Sequence, residues 1–101
     1  MKKDDQAEFG IVAIGRNEGE RLKQCLRSLP ASARIIYVDS GSSDGSDVWA
    51  GEFGAQVVRL DMGLPFTAAR ARNAGFKALL DLEPEIQFVQ FVDGDCELAT
   101  G

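Results

Sequence analysis

Four short apolar runs, each closed by polar or turn-forming residues and each separated from the next by a helix-periodic stretch, constrain this chain more than any other feature. They are Gly10-Ile11-Val12-Ala13-Ile14-Gly15, Arg34-Ile35-Ile36-Tyr37-Val38, Gln56-Val57-Val58-Arg59-Leu60 and Ile86 to Val92. Runs of this length, rich in β-branched and aromatic residues, read as buried strands. Strands that alternate with helices predict a β-α-β-α-β-α-β order, with a parallel sheet, right-handed crossovers and helices on both faces. The expected class is therefore α/β, a Rossmann-like three-layer sandwich. A chain of 101 residues holds one such domain. We place it over residues 9–101, after an N-terminal tail of residues 1–8.

The helical stretches carry their own punctuation. Asn17 is a good N-cap, and Glu20 follows it at capping-box spacing. Leu22, Cys25, Leu26 and Leu29 then recur on one helix face, and Pro30 ends that helix. Ser40 to Ser46 is a loop of small residues, followed by a short helix over 47–53 that Gly54 closes. Gly63 and Pro65 mark a loop over 62–66. A longer helix is predicted from Thr67 to Leu82, with Ala71, Gly75, Ala78, Leu79 and Leu82 as its apolar face and Pro84 beyond it.

Composition narrows the function. The net charge of -5 gives no electrostatic footprint for nucleic acid. With no histidine, imidazole acid–base chemistry, histidine metal ligation and Ser-His or Cys-His nucleophiles are all excluded. Cys25 and Cys96 form no CxxC pair and read as ordinary thiols in a reducing compartment. The N-terminus lacks the apolar core of a signal peptide, and no window approaches the roughly 20 apolar residues of a membrane helix. We expect a cytoplasmic chain, with any membrane association belonging to a longer natural protein.

Chemistry-bearing residues collect where strands end. Arg16 and Asn17 follow the first strand, Asp39 and Ser40 the second, and Asp93 and Asp95 the fourth. In a doubly wound sheet these points share the carboxyl edge, where such sheets bind ligands. Asp93-Gly94-Asp95 offers hard oxygen ligands to a divalent cation, with phosphate oxygens and water completing the shell; the same tripeptide also serves as a plain turn. Asp39 can accept from a base or ribose, or instead cap the backbone of Ser40 to Ser42. Asp44 and Ser46 read as turn and N-cap residues. Arg70 and Arg72, with Asn73, lie in the first turns of the third helix. There a cation opposes the macrodipole unless an anionic partner offsets it. No GxGxxG follows the first strand, and no GxxxxGK[ST] occurs anywhere.

Four segments, in order, resemble family 2 glycosyltransferases, the inverting group with the GT-A fold. Ile11 to Glu18 resembles the first strand and its Asn-Glu turn, and Val38-Asp39-Ser40-Gly41-Ser42-Ser43-Asp44-Gly45-Ser46 the segment "VDDGSTDGT". Ala69-Arg70-Ala71-Arg72-Asn73-Ala74-Gly75 resembles the "ARNxG" helix, and Phe91-Val92-Asp93-Gly94-Asp95 the metal-binding DxD. The resemblance spans about residues 9–98. It implies strand order 3-2-1-4 and a nucleotide-diphosphate sugar as donor. Arg16 and Asn17 would border the nucleoside, with Asp39 bonding base or ribose beside Ser40. Arg72 would hold the nucleotide, Asp93 would face ribose and donor sugar, and Asp95 would ligate Mg²⁺ or Mn²⁺ on the diphosphate.

There are departures. Ser40 replaces the second Asp of "VDD", and Gly15-Arg16 stands where many members have Pro-Thr or Pro-Ala. The acceptor half that carries the family's general base would follow the DxD, so the expectation is a truncated, donor-binding half-domain. Its apolar edge over 86–92 would be open to homodimer pairing. Two other readings remain at this point: a nucleotidyltransferase-like domain, and a non-catalytic nucleotide-binding or assembly module. The acceptor, whether sugar, lipid or protein, is not legible.

Overall fold

The computed structural model describes residues 9–30, 32–61, 63–64 and 67–93. Seven elements follow in the predicted order. They are β1 (Phe9–Gly15), α1 (Glu20–Arg27), β2 (Arg34–Asp39), α2 (Ser46–Phe53), β3 (Gln56–Arg59), α3 (Ala68–Leu82) and β4 (Phe88–Asp93). The strands form one sheet of order β3-β2-β1-β4, with every pairing parallel. The predicted α/β class and strand order are both observed. The tail of residues 1–8 lies outside the described residues.

The period-2 alternation of the strands sorts their side chains onto two cores. Ile11, Ala13 and Tyr37 face α1 and α2, where Leu22, Leu26, Leu29 and Ala50 complete one buried cluster. Val12, Ile36 and Val38 face α3 and pack with Ala71 and Leu79. Covering both faces explains why β1 and β2 read as continuous apolar runs rather than as alternating ones. Gly75 lets α3 lie close to the sheet. A Cβ there would overlap Val12 Cγ1 and come within 2.8 Å of Val38 Cγ2.

Boundaries shift in instructive places. Thr67 is the N-cap of α3, its hydroxyl accepting from the Arg70 amide at 3.0 Å. Gly54 closes α2 in the left-handed region at φ 119°, as predicted. Ser46 is not the N-cap of α2 but its first residue, because Gly45 supplies the positive φ of the turn before it. Leu82 points outward at the end of α3. The next residue, Glu83, is buried instead, accepting from Arg34 Nε at 3.0 Å and Nη2 at 2.6 Å and tying the end of α3 to the start of β2.

The capping box predicted from Asn17 and Glu20 does not form. Asn17 has φ 52° and Gly19 has φ 54°, so the chain turns twice before α1 begins at Glu20, and no side chain caps that helix. The Asn17 side chain is engaged elsewhere. Among the described residues no helix is long and apolar enough to cross a membrane.

Candidate functional site

Because every strand runs the same way, their carboxyl ends share one edge. The register makes this exact at residue level: Gly15 sits beside Asp39, Asp39 beside Arg59, and Ile14 beside Asp93. Sequence reasoning from strand ends alone anticipated this convergence of Arg16, Asn17, Asp39, Ser40 and Asp93. For Asp93 the described position is that of the backbone, at the end of β4. Gly94 and Asp95 lie outside the described residues, as does Cys96.

Two loops, β1–α1 and β2–α2, are clasped together at this edge. The Asn17 amide donates to Ser42 Oγ at 2.9 Å. Asn17 Oδ1 accepts from the amides of Ser43 at 2.7 Å and Asp44 at 3.2 Å. One turn further on, the Gly19 amide donates to Ser46 Oγ at 3.2 Å. Asn17 thus satisfies backbone donors in the neighbouring loop rather than in its own helix, which is why the capping reading fails.

Asp39 is 3% exposed, and both of its oxygens are engaged. Oδ2 accepts from the amides of Gly41 at 3.1 Å and Ser42 at 2.8 Å, while Oδ1 accepts from the Tyr37 hydroxyl at 3.0 Å. The loop-capping role weighed from sequence is therefore present. A carboxylate offers about four acceptor positions, so about one remains for a ligand. Ser40 extends the β1–β2 pairing: its amide and its hydroxyl both donate to the Gly15 carbonyl, at 3.0 and 3.1 Å. Its hydroxyl proton is thereby committed.

Asp44 shapes the turn, as predicted. Its Oδ1 accepts from the Ser46 hydroxyl at 2.6 Å and the Ser46 amide at 2.9 Å, and these bonds hold its carboxyl below the usual range. Asp47 is likewise lowered, chiefly by Arg59, which donates to it at 2.9 Å. The two arginines of α3 divide their work. Arg70 donates to the carbonyls of Asp61 at 2.6 Å and Leu64 at 3.5 Å, holding the β3–α3 loop. Arg72 and Arg16 are exposed and make no hydrogen bond or ion pair among the described residues, so both guanidinium groups are open to an anion.

The model for glycosyl transferase family 2 matches residues 11–101. The chain belongs to glycosyl transferase family 2. Among curated proteins it is similar to a TPR repeat-containing protein of Synechococcus elongatus, 31% identical over 86 residues. That match covers 79% of this chain and 21% of the relative, so the chain spans about a fifth of that protein's length.

For a family 2 chain, sequence reasoning passed over one residue of this edge, Tyr37. It is the chain's single tyrosine. It lies two residues before Asp39 on the same strand, hence on the same face, and a polar-tipped aromatic there was the available signal.

Proposed function

We propose that the carboxyl edge of this sheet binds a nucleotide-diphosphate sugar and serves a glycosyltransferase that moves the sugar to an acceptor with inversion. The observation that carries the reading is the register itself. It sets Asp93, the β1–α1 loop and Asp39 side by side on one edge of a family 2 fold. In this reading the remaining acceptor position of Asp39 meets the base or ribose, with Asn17 and Ser40 shaping the loops around it. Arg16 and Arg72, whose guanidinium groups are uncommitted among the described residues, approach the diphosphate. Arg72 is the better candidate of the α3 pair, since Arg70 already holds its own loop.

Asp93 and Asp95 would hold Mg²⁺ or Mn²⁺. Their carboxylate oxygens suit a hard cation, with diphosphate oxygens and water completing the shell. When bound, the cation supplies Lewis-acid stabilisation of the departing nucleoside diphosphate. The chain's own residues bind and orient the donor. No residue on this edge is assigned as the general base that deprotonates the acceptor.

Calorimetric titration with UDP, GDP and dTDP, with and without Mn²⁺, tests this reading. The expected outcome is manganese-dependent binding of one diphosphate, abolished by Asp95→Ala. Well-folded protein that binds none of the three, or that binds equally without the metal, would count against it.

A further inference from the structure

Among the side chains that build the clasped loops, Tyr37 is rooted in the core. Its ring is fully buried in the cluster of Ile11, Ala13, Leu22 and Leu26, while its hydroxyl reaches the carboxyl edge and donates to Asp39 Oδ1 at 3.0 Å. Gly15 leaves the room for it: a Cβ there would stand 3.3 Å from the Tyr37 hydroxyl and 3.4 Å from Cε1. From Asp39 the connection runs on through Oδ2 to the Gly41 and Ser42 amides, and from Ser42 Oγ to the Asn17 amide. A single chain of hydrogen bonds thus links the rigid core to both loops.

We propose that Tyr37 is a positioning residue of the donor site, acting through Asp39. By occupying one position on Oδ1 it fixes the carboxylate's rotation. It thereby aims the one acceptor position left for a ligand and keeps Oδ2 on the loop amides. The proposal rests on the reading that Asp39 meets the nucleoside. An aromatic residue without the hydroxyl fills the same space yet leaves Oδ1 unanchored, so the Asp39 side chain and the loop at 41–42 gain freedom. A purely space-filling Tyr37 would make neither loop nor ligand sensitive to the loss of that one oxygen.

The test is Tyr37→Phe, with two readouts. The first needs no ligand: solvent exchange of the Gly41 and Ser42 amides, followed by NMR, with distant core amides as reference. We expect the two loop amides to exchange several-fold faster while the reference amides hold. Unchanged exchange at Gly41 and Ser42 overturns the positioning role, whatever binds. The second readout is affinity for UDP, GDP and dTDP with Mn²⁺, set against inorganic pyrophosphate with Mn²⁺. Nucleotide affinity should fall about tenfold, the scale of a lost hydrogen bond to a charged group, while pyrophosphate affinity holds. In an Asp39→Asn background the same change should cost no more than about twofold, because a residue acting through a partner loses its effect with that partner. Equal losses for nucleotide and pyrophosphate, or full additivity with Asp39→Asn, overturn the proposal. If the loop amides respond but the unaltered chain binds no nucleotide, it is the donor reading that fails: assignment to a donor site falls and the loop anchor stands. Should Tyr37→Phe not fold, the Tyr37 hydroxyl proton of the unaltered chain is followed by NMR instead: a slowly exchanging hydroxyl resonance that Asp39→Asn shifts supports the bond to Oδ1, and a hydroxyl that exchanges as fast as a solvent-exposed phenol overturns it.

Discussion

Tyr37 is the chain's single tyrosine, so its ionisation can be read directly from phenolate absorbance. Burial pushes its hydroxyl well above the ordinary phenol range, reinforced by the charge of Asp39 and opposed by the neighbouring Ser42 hydroxyl. An unfolded tyrosine ionises at about pH 10. Folding that holds the phenol protonated therefore contributes stability fully present below about pH 10 and lost as pH rises through the folded value. Between these points stability should fall by about 1.4 kcal/mol per pH unit. In an alkaline titration we expect phenolate absorbance and loss of helical circular dichroism to rise together. Absorbance that grows at about pH 10 in protein still folded would show the hydroxyl to be open to solvent. The same residue shows what a reading of motifs passes over: its place in β2 was legible, and its partner Asp39, two residues on along the same strand face, was within reach of the period-2 argument.

At the scale of the element, α3 owes its position to a missing side chain. Gly75 is costly within a helix, by about 1 kcal/mol relative to alanine. The sheet requires it all the same, because a methyl group there would overlap Val12 and crowd Val38. Overpacking of this kind costs about 1–3 kcal/mol. Gly75→Ala should therefore destabilise the fold on balance, lowering the thermal midpoint by several degrees. Combined with Val12→Ala, which removes buried methyl groups of its own, the two losses should come to less than their sum, because the changes share one contact. A raised midpoint for Gly75→Ala alone would mean that α3 stands further from the sheet than described. The helices also show how far pattern reading reaches. The apolar faces of α1 and α3 follow from residue spacing, and most of their members are buried. The start of α1 does not follow, since the capping signal at Asn17 is spent on the backbone of a loop 26 and 27 residues away.

For the whole molecule, β4 is the edge strand of the described sheet and is sparsely covered. Phe88 is 62% exposed and Phe91 42%, on opposite faces, and Phe88 to Val92 carries no charged side chain to discourage pairing. We expect association through this edge as concentration rises, either as a homodimer joined along β4 or as a larger assembly. Light scattering across a wide concentration range checks it, and Phe91→Lys should shift the equilibrium toward monomer. A clean monomer throughout would place the protection of this edge elsewhere in the chain.

Fold class, strand direction, element order and the edge at which the candidate residues gather were all determined by the sequence itself. Each depends on local periodicity and on a connection rule that few topologies satisfy. The family motifs extended this to the strand order. Tertiary structure decided how most of these candidate residues are employed. Asn17 caps a neighbouring loop and Ser40 prolongs a strand pairing. Among the described residues Arg70 is committed to its loop, while Arg72 is open. The physical reason is that a hydrogen bond has no sequence period. Its partners are set by distance and desolvation at an edge that exists only once the four strands have come together, and no local pattern records that meeting.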